Sequence, residues 1–181
     1  VMFSFYGGGH GGSIDQDGLN HGNAPISTAT IPPMEILEAA YPVMFRQWAL
    51  RPDSAGAGTH RGGVGAIYEI EVLEENGADA FLFGERGRFA PKGIADGDDA
   101  AMNVFSYEQD DGWKTPPLAS KMLGIKLKQG QAVRLETPGG GGYGAASKRA
   151  PADISSDVAR GLVSASEADK IYGNAWREVA P

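Results

Sequence analysis

Val64-Gly65-Ala66-Ile67-Tyr68-Glu69-Ile70-Glu71-Val72-Leu73-Glu74-Glu75-Asn76-Gly77-Ala78-Asp79-Ala80-Phe81-Leu82-Phe83 is the stretch on which the fold turns. Ile67, Tyr68, Ile70 and Val72 give Val64–Leu73 the β-branched and aromatic content of a strand. Asn76-Gly77 is a turn signal, and Ala80–Phe83 reads as the returning partner, so the segment predicts a hairpin. A second hairpin is predicted downstream, where Lys121–Leu127 and Ala132–Glu136 flank Lys128-Gln129-Gly130-Gln131. Upstream, Val43–Leu50 reads as a strand. A short helix over Met34–Ala40 starts after Pro32-Pro33 and stops at Tyr41-Pro42. Val1–Tyr6 is strand-like, whereas 13–33, 51–58 and most of 85–117 read as loop. After Pro151 the pattern turns helical. Ile154, Val158 and Leu162 mark one amphipathic helix; Ser164-x-x-Glu167 is a capping box for a second, through Ile171, with Gly173 as its C-cap. The expected class is α+β and β-rich, with antiparallel hairpins, long Gly-rich loops and a short C-terminal helical tail. The expected division is a β-rich region over 1–150 and the tail over 151–181.

Composition narrows the function classes. The 181 residues suffice for one domain with a core, and 41% hydrophobic with 22% charged residues is ordinary for a globular chain. A net charge of -7 argues against a nucleic-acid partner. The absence of cysteine excludes disulfides, thiolate nucleophiles and cysteine-ligated zinc. No apolar run reaches the roughly 20 residues that span a bilayer, and no signal peptide is visible. The expectation is therefore a cytoplasmic protein with no membrane and no nucleic-acid partner.

Glycine is in excess, 27 residues, and it is clustered. The clusters are Gly7–Gly12 around His10, the span 56–65, and Gly139-Gly140-Gly141-Gly142-Tyr143-Gly144. Such clusters sit where the backbone takes positive φ or approaches something closely, and at least one of Gly139 to Gly142 is expected to have positive φ. The last run lacks the Gly-Lys-Ser/Thr of a phosphate-binding loop, because Ser147-Lys148 has the wrong order and spacing. No strand–loop–helix unit supports a dinucleotide site, and no Gly-x-Ser-x-Gly elbow exists. Candidate side chains remain. His10, Asp17 and His21 are metal- or substrate-binding types, but their spacing matches no strong metal motif and plain loop hydrogen bonding is the favoured reading. Arg51, Arg61, Arg86 and Arg88 lie beside glycines, where arginine holds a carboxylate or phosphate, or else ties loops together. Arg51 in particular is expected to be buried against loop carbonyls or Asp53. Glu85 with Arg86 and Arg88 is either a site at a strand end or a solvated rim.

Several blocks together resemble the hydantoinase B family. Ala49-Leu50-Arg51-Pro52-Asp53-Ser54-Ala55-Gly56-Ala57-Gly58, Arg61-Gly62-Gly63-Val64-Gly65 and Glu136-Thr137-Pro138-Gly139-Gly140-Gly141-Gly142-Tyr143-Gly144 carry the resemblance. Gly7–Gly12, Tyr41-Pro42, Glu85-Arg86 with Phe89 and Pro91, Gly161–Ser164 and Tyr172-Gly173 support it. Gly87 and Asp96-Gly97-Asp98-Asp99 depart from it. The family includes N-methylhydantoinase B-type subunits, the C-terminal half of 5-oxoprolinase, and acetone and acetophenone carboxylase subunits. The resemblance implies that this chain is the C-terminal part of such a subunit. It implies a hydantoinase A-type partner that binds ATP and Mg and phosphorylates a carbonyl or enol oxygen. The resemblance also implies that the B-type subunit then hydrolyses or carboxylates the activated intermediate. Metal ligands of the family belong to an N-terminal portion not present here, so no metal or cofactor is expected on this chain. The expected partners are the rest of the B-like subunit and the A-like ATP-binding subunit, with residues 1–25 and Gly139–Gly144 at the interface. A non-catalytic assembly portion of such a complex is the competing reading.

Overall fold

A computed structural model describes residues 1–22 and 32–179. It contains helix α1 (Met34–Ala40), strands β1 (Val43–Leu50), β2 (Ala66–Val72), β3 (Ala78–Phe83), β4 (Val104–Gln109), β5 (Gly112–Lys114), β6 (Lys121–Leu127) and β7 (Ala132–Glu136), and helices α2 (Pro151–Ala159) and α3 (Ala165–Tyr172). The β-rich α+β organisation is the one expected. Pro33 precedes α1, and Tyr41 leaves the helix in an extended conformation. Ser164 Oγ accepts the Glu167 amide at the start of α3, and Gly173 closes it at φ 73°. The expected loop 13–33 lies partly, over 23–31, outside the described residues.

Pairing differs from the two predicted hairpins. A five-stranded antiparallel sheet has the order β1-β2-β7-β4-β5, and β3 pairs with β6 in a separate ribbon. The two turn signals are real but do not reverse the chain. The Gly77 amide donates to Glu74 and the Gln131 amide to Lys128, closing one turn each. The turns face each other, with the Gly130 amide on Val72 O at 2.8 Å and the Val72 amide on Gln131 O at 2.9 Å. Each turn bends its strand from the sheet into the ribbon, so β2–β3 and β6–β7 run alongside as one bent ladder. Burial selects this arrangement. Tyr68, Ile70, Val72, Phe105 and Leu135 on the inner sheet face pack against Ile125 and Leu127, with Ala80, Leu82 and Met122 from the ribbon. Among the described residues, the hairpin closed by a two-residue turn is β4–β5, with Gln109 opposite Gly112, inside the segment expected to be loop. Its Phe105 and Tyr107 alternate inward beside Leu135 and Val133.

Residues 1–6 belong to no strand ladder, contrary to the strand expected there. Met2 and Tyr6 pack on the core while Val1, Phe3 and Phe5 are exposed, so the alternation of a strand persists without pairing. The outer face of the sheet is a charge ladder: Arg46 meets Glu71 at 2.8 Å, and Arg134 meets Glu69 and Glu136 at 3.1 Å each. A face of that kind is solvated, as antiparallel sheets allow. No helix among the described residues is long and apolar enough to cross a membrane.

Candidate functional site

The Gly-rich loops converge at one end of the sheet into a bundle of extended backbones. Gly139 to Gly142 are buried or nearly so, and none has positive φ, contrary to expectation; the positive-φ glycine of this run is Gly144, at 72°. What they supply is close approach. A Cβ built on Gly139, Gly140, Gly141 or Gly142 would lie 1.9, 1.8, 2.1 and 1.9 Å from the carbonyl oxygens of Ser54, His10, Lys92 and Ala57. Backbone bonds fill the space that side chains would occupy. The Gly140 amide donates to Gly63 O, the Gly142 amide to Asp98 O, and the Gly12 amide to Gly141 O, each at 2.9 Å. These donors are committed within the chain, so the run is not a phosphate cradle. Of the Gly139–Gly144 run expected at an interface, Gly139 to Gly142 are buried within this chain and Tyr143 and Gly144 are partly exposed.

A buried ion network ties this bundle to the helical tail. Arg149 grips Asp17 with two bonds, at 2.8 and 2.7 Å, and reaches Asp157 at 2.7 Å. Arg61 donates to Asp157 at 2.9 Å, to Asn20 at 3.1 Å and to Gly62 O at 2.8 Å. The side chains of Arg149, Arg61 and Asp157 are 2%, 5% and 6% exposed, and Asp17 is 32% exposed. Burial pushes the Asp17 carboxyl up, but the bonds and charge of Arg149, with Arg61, outweigh it and hold it below the usual range. Burial opposes the charge on Arg149 as well; Asp17 and Asp157 outweigh it and raise its pKa. Burial pushes the nearby Tyr172 hydroxyl up to about 12. Sequence reading finds Asp17 and Arg61 but misses Arg149 and Asp157. The available signal is Asp157 itself, a carboxylate three residues after Ile154 and next to Val158 on an otherwise apolar helix face, a position that demands a cation.

The other candidates are dispersed. His21 sits at φ 46°, donates its amide to Val64 O at 2.7 Å, and hydrogen-bonds the buried Tyr68 hydroxyl through its ring. Trp48 and Tyr6 pack against Tyr68, with ring centroids 5.2 and 4.3 Å away. His10 uses its backbone, donating to Leu19 O and accepting from Gly63, while its ring abuts Gly22. Arg51 reaches the carbonyls of Met102 and Thr137 at 2.8 and 3.0 Å and the Glu136 carboxylate at 3.3 Å. Asp53 is not its partner; that carboxylate instead accepts the Ser164 amide at 2.7 Å. Burial lowers the Arg51 pKa. Arg51→Ala is expected to cost about 3 kcal/mol, because it strands carbonyls and a carboxylate. A shift of the urea midpoint at constant slope would show it. Glu85 is fully exposed and bonded to Lys121 at 2.6 Å, which holds its carboxyl below the usual range. Arg86, at φ 60°, and Arg88 are exposed beside it and make no ion pair among the described residues.

These residues do not assemble a metal centre. The His21 ring is engaged by Tyr68, and both Asp17 oxygens accept Arg149. No three His, Asp or Glu side chains converge for a metal among the described residues. The bundle and α3 do enclose a cleft of about 500 Å³, lined in part by Asp53, Arg61, Asp98, Glu167, Lys170 and Tyr172.

The Hydantoinase B/oxoprolinase family model matches residues 1–146, which include the whole glycine bundle. The chain belongs to the hydantoinase B/oxoprolinase family. It is 28% identical over 96% of its length to the putative B component of a D-/L-hydantoinase from a Pseudomonas strain, covering 29% of that protein. It is 36% identical to the beta chain of the Pseudomonas jessenii caprolactamase, over 77% of this chain and 24% of that one. The crystal structure of the ATP-dependent caprolactamase from the same organism superposes with a TM-score of 0.75 at 28% identity, covering 93% of this chain and 29% of that one. A nucleotide-free acetone carboxylase shares the fold, with a TM-score of 0.79 at 22% identity over 92% of this chain and 26% of that one. This hydantoinase B-family chain thus spans less than a third of the length of these relatives. Two of these relatives are named as components of larger enzymes, so partner subunits are part of the family pattern.

Proposed function

We propose that the chain is part of a B-type subunit of an ATP-dependent cyclic-amide hydrolase. In this reading a lactam or hydantoin carbonyl is activated by phosphorylation on an A-type partner, which holds ATP and Mg, and is then opened by water. The observation that carries it is the match over most of the chain to hydantoinase and caprolactamase components, the latter at 36% identity. The likeness to acetone carboxylase is one of fold, at 22% identity, and does not favour carboxylation. This chain's contribution is a rigid wall. The amides of Gly56, Gly62, Gly63, Gly140 and Gly142 are spent on carbonyls of the bundle itself, and the Asp17–Arg149–Asp157–Arg61 network fixes the tail against it. Whatever metal the family uses would be held outside these residues.

The test is reconstitution with an A-type partner and the rest of the B-type polypeptide, following ADP release with hydantoin, 5-oxoproline or caprolactam. ATP turnover coupled to ring opening supports the reading; turnover that requires bicarbonate and a ketone replaces it with carboxylation. The 181-residue chain alone is expected to release no ADP from ATP. Steady turnover by the isolated chain would show that it carries the nucleotide site itself.

A further inference from the structure

The β3–β6 ribbon forms the second layer over the sheet. Its inner face supplies Leu82, Met122, Ile125 and Leu127 to the core. The outer face of such a layer is normally polar, as the charge ladder on the other side of this molecule illustrates. Here it is not. Phe81, Phe83 and Leu123 are 59%, 73% and 62% exposed, and they alternate with the inward residues of their strands. Ion pairs bracket them at both ends of the ribbon, Asp79 with Lys126 at 2.7 Å and Glu85 with Lys121 at 2.6 Å. Leu118, 58% exposed, adjoins the latter end, its carbonyl accepting the Ser120 amide. A strand apolar on both faces is a strand covered on both faces, and an apolar centre with a charged rim is the anatomy of an interface.

We infer that this outer face of β3–β6 is the seat of the remaining portion of a hydantoinase B-type polypeptide. The length of chain outside the structure argues for that occupant over a second copy. This chain covers only 29% and 24% of two relatives that match it, so most of such a polypeptide lies outside this piece and is the partner surface nearest to hand. The Gly139–Gly142 run does not offer the contact, because its residues are buried against carbonyls of this chain. The inference rests on the family reading of the chain, not on its reaction.

The absence of cysteine makes the test direct. Leu123→Cys, an exposed position, introduces the single thiol of these 181 residues for a photoactivatable cross-linker, and the assembly without the substitution is the control for thiols elsewhere. The tagged chain is purified in its native assembly from its own cells and irradiated, and the cross-linked peptide is sequenced. A peptide from B-type sequence outside these 181 residues is expected. Alkylation of the thiol should also be slower by about tenfold or more in the assembly than in the isolated chain, the mark of a desolvated interface centre. A cross-link to a second copy, to an A-type partner or to nothing, or equal alkylation in both samples, overturns the inference. Cross-linking without ATP-dependent ring opening would leave the docking intact and count against the proposed reaction alone, so the two failures are separable.

Discussion

Arg149→Met is expected to destabilise the chain by about 3–5 kcal/mol, the scale for removing one partner of a buried ion network. Two arginines and two aspartates balance in that network; without Arg149 the buried Asp157 keeps only Arg61, and Asp17 loses its bidentate partner. Arg149→Met combined with Asp157→Leu should cost less than the single change, since the second substitution removes the stranded charge. Urea melts of the two variants decide it; a single-variant loss under about 1 kcal/mol would mean that water reaches the network. The pH dependence has a definite sign. The folded Asp17 carboxyl is held below its ordinary range, so its contribution is complete at neutral pH. It is lost as pH falls through the usual aspartate range towards the depressed folded value. The gap between wild type and Arg149→Met should therefore narrow as the pH is lowered into that acid range.

Gly140→Val is the second large effect. The added Cβ would lie 1.8 Å from His10 O and 2.6 Å from the Gly11 amide nitrogen, both backbone atoms that cannot rotate away. Overpacking typically costs about 1–3 kcal/mol, and here the obstacle is the His10–Gly11 peptide group itself. The expected result is a loss of about 3 kcal/mol or more, at the upper end of that scale, with insoluble expression as the common outcome. Gly11→Ala is the internal control. Its Cβ would find only Gly141 O, at 3.6 Å, an ordinary contact, so this variant should fold. Equal stability of Gly140→Val and wild type, measured by thermal melting, would reject the close-packed bundle.

The family and the β-rich class were legible in the residues, because both depend on local composition and on blocks such as Arg51-Pro52-Asp53-Ser54 and Thr137-Pro138 with four glycines. Turn chemistry at Asn76-Gly77 and Gly130 was also legible, since a turn is decided by its own few residues. The helix boundaries at Ser164 and Gly173 are of the same kind. Candidate site residues fared differently. Asp17 and Arg61 stand in separate loops of the sequence, His10 and His21 near each other, and Glu85 with its arginines at a strand end. Nothing local distinguishes a carboxylate gripped by a distant arginine from one in water.

What the sequence by itself determined is therefore most of the elements: which segments are strand, turn, helix or glycine run, with β4 and β5 the main omission. Pairing was left to the tertiary structure. A turn signal bends the chain, but whether the bend becomes a hairpin depends on which neighbour buries the inner face, and β2 buries it against β1 and β7 while β3 takes β6. The use of the glycines was decided there as well. A glycine run permits both positive φ and close approach, and only the positions of Ser54, His10, Lys92 and Ala57 made it close approach. Asp17 and Asp157 meet Arg149 across 132 and 8 residues of chain for the same reason. Long-range contact is fixed by the free energy of burying the whole surface at once, a quantity that no single segment carries.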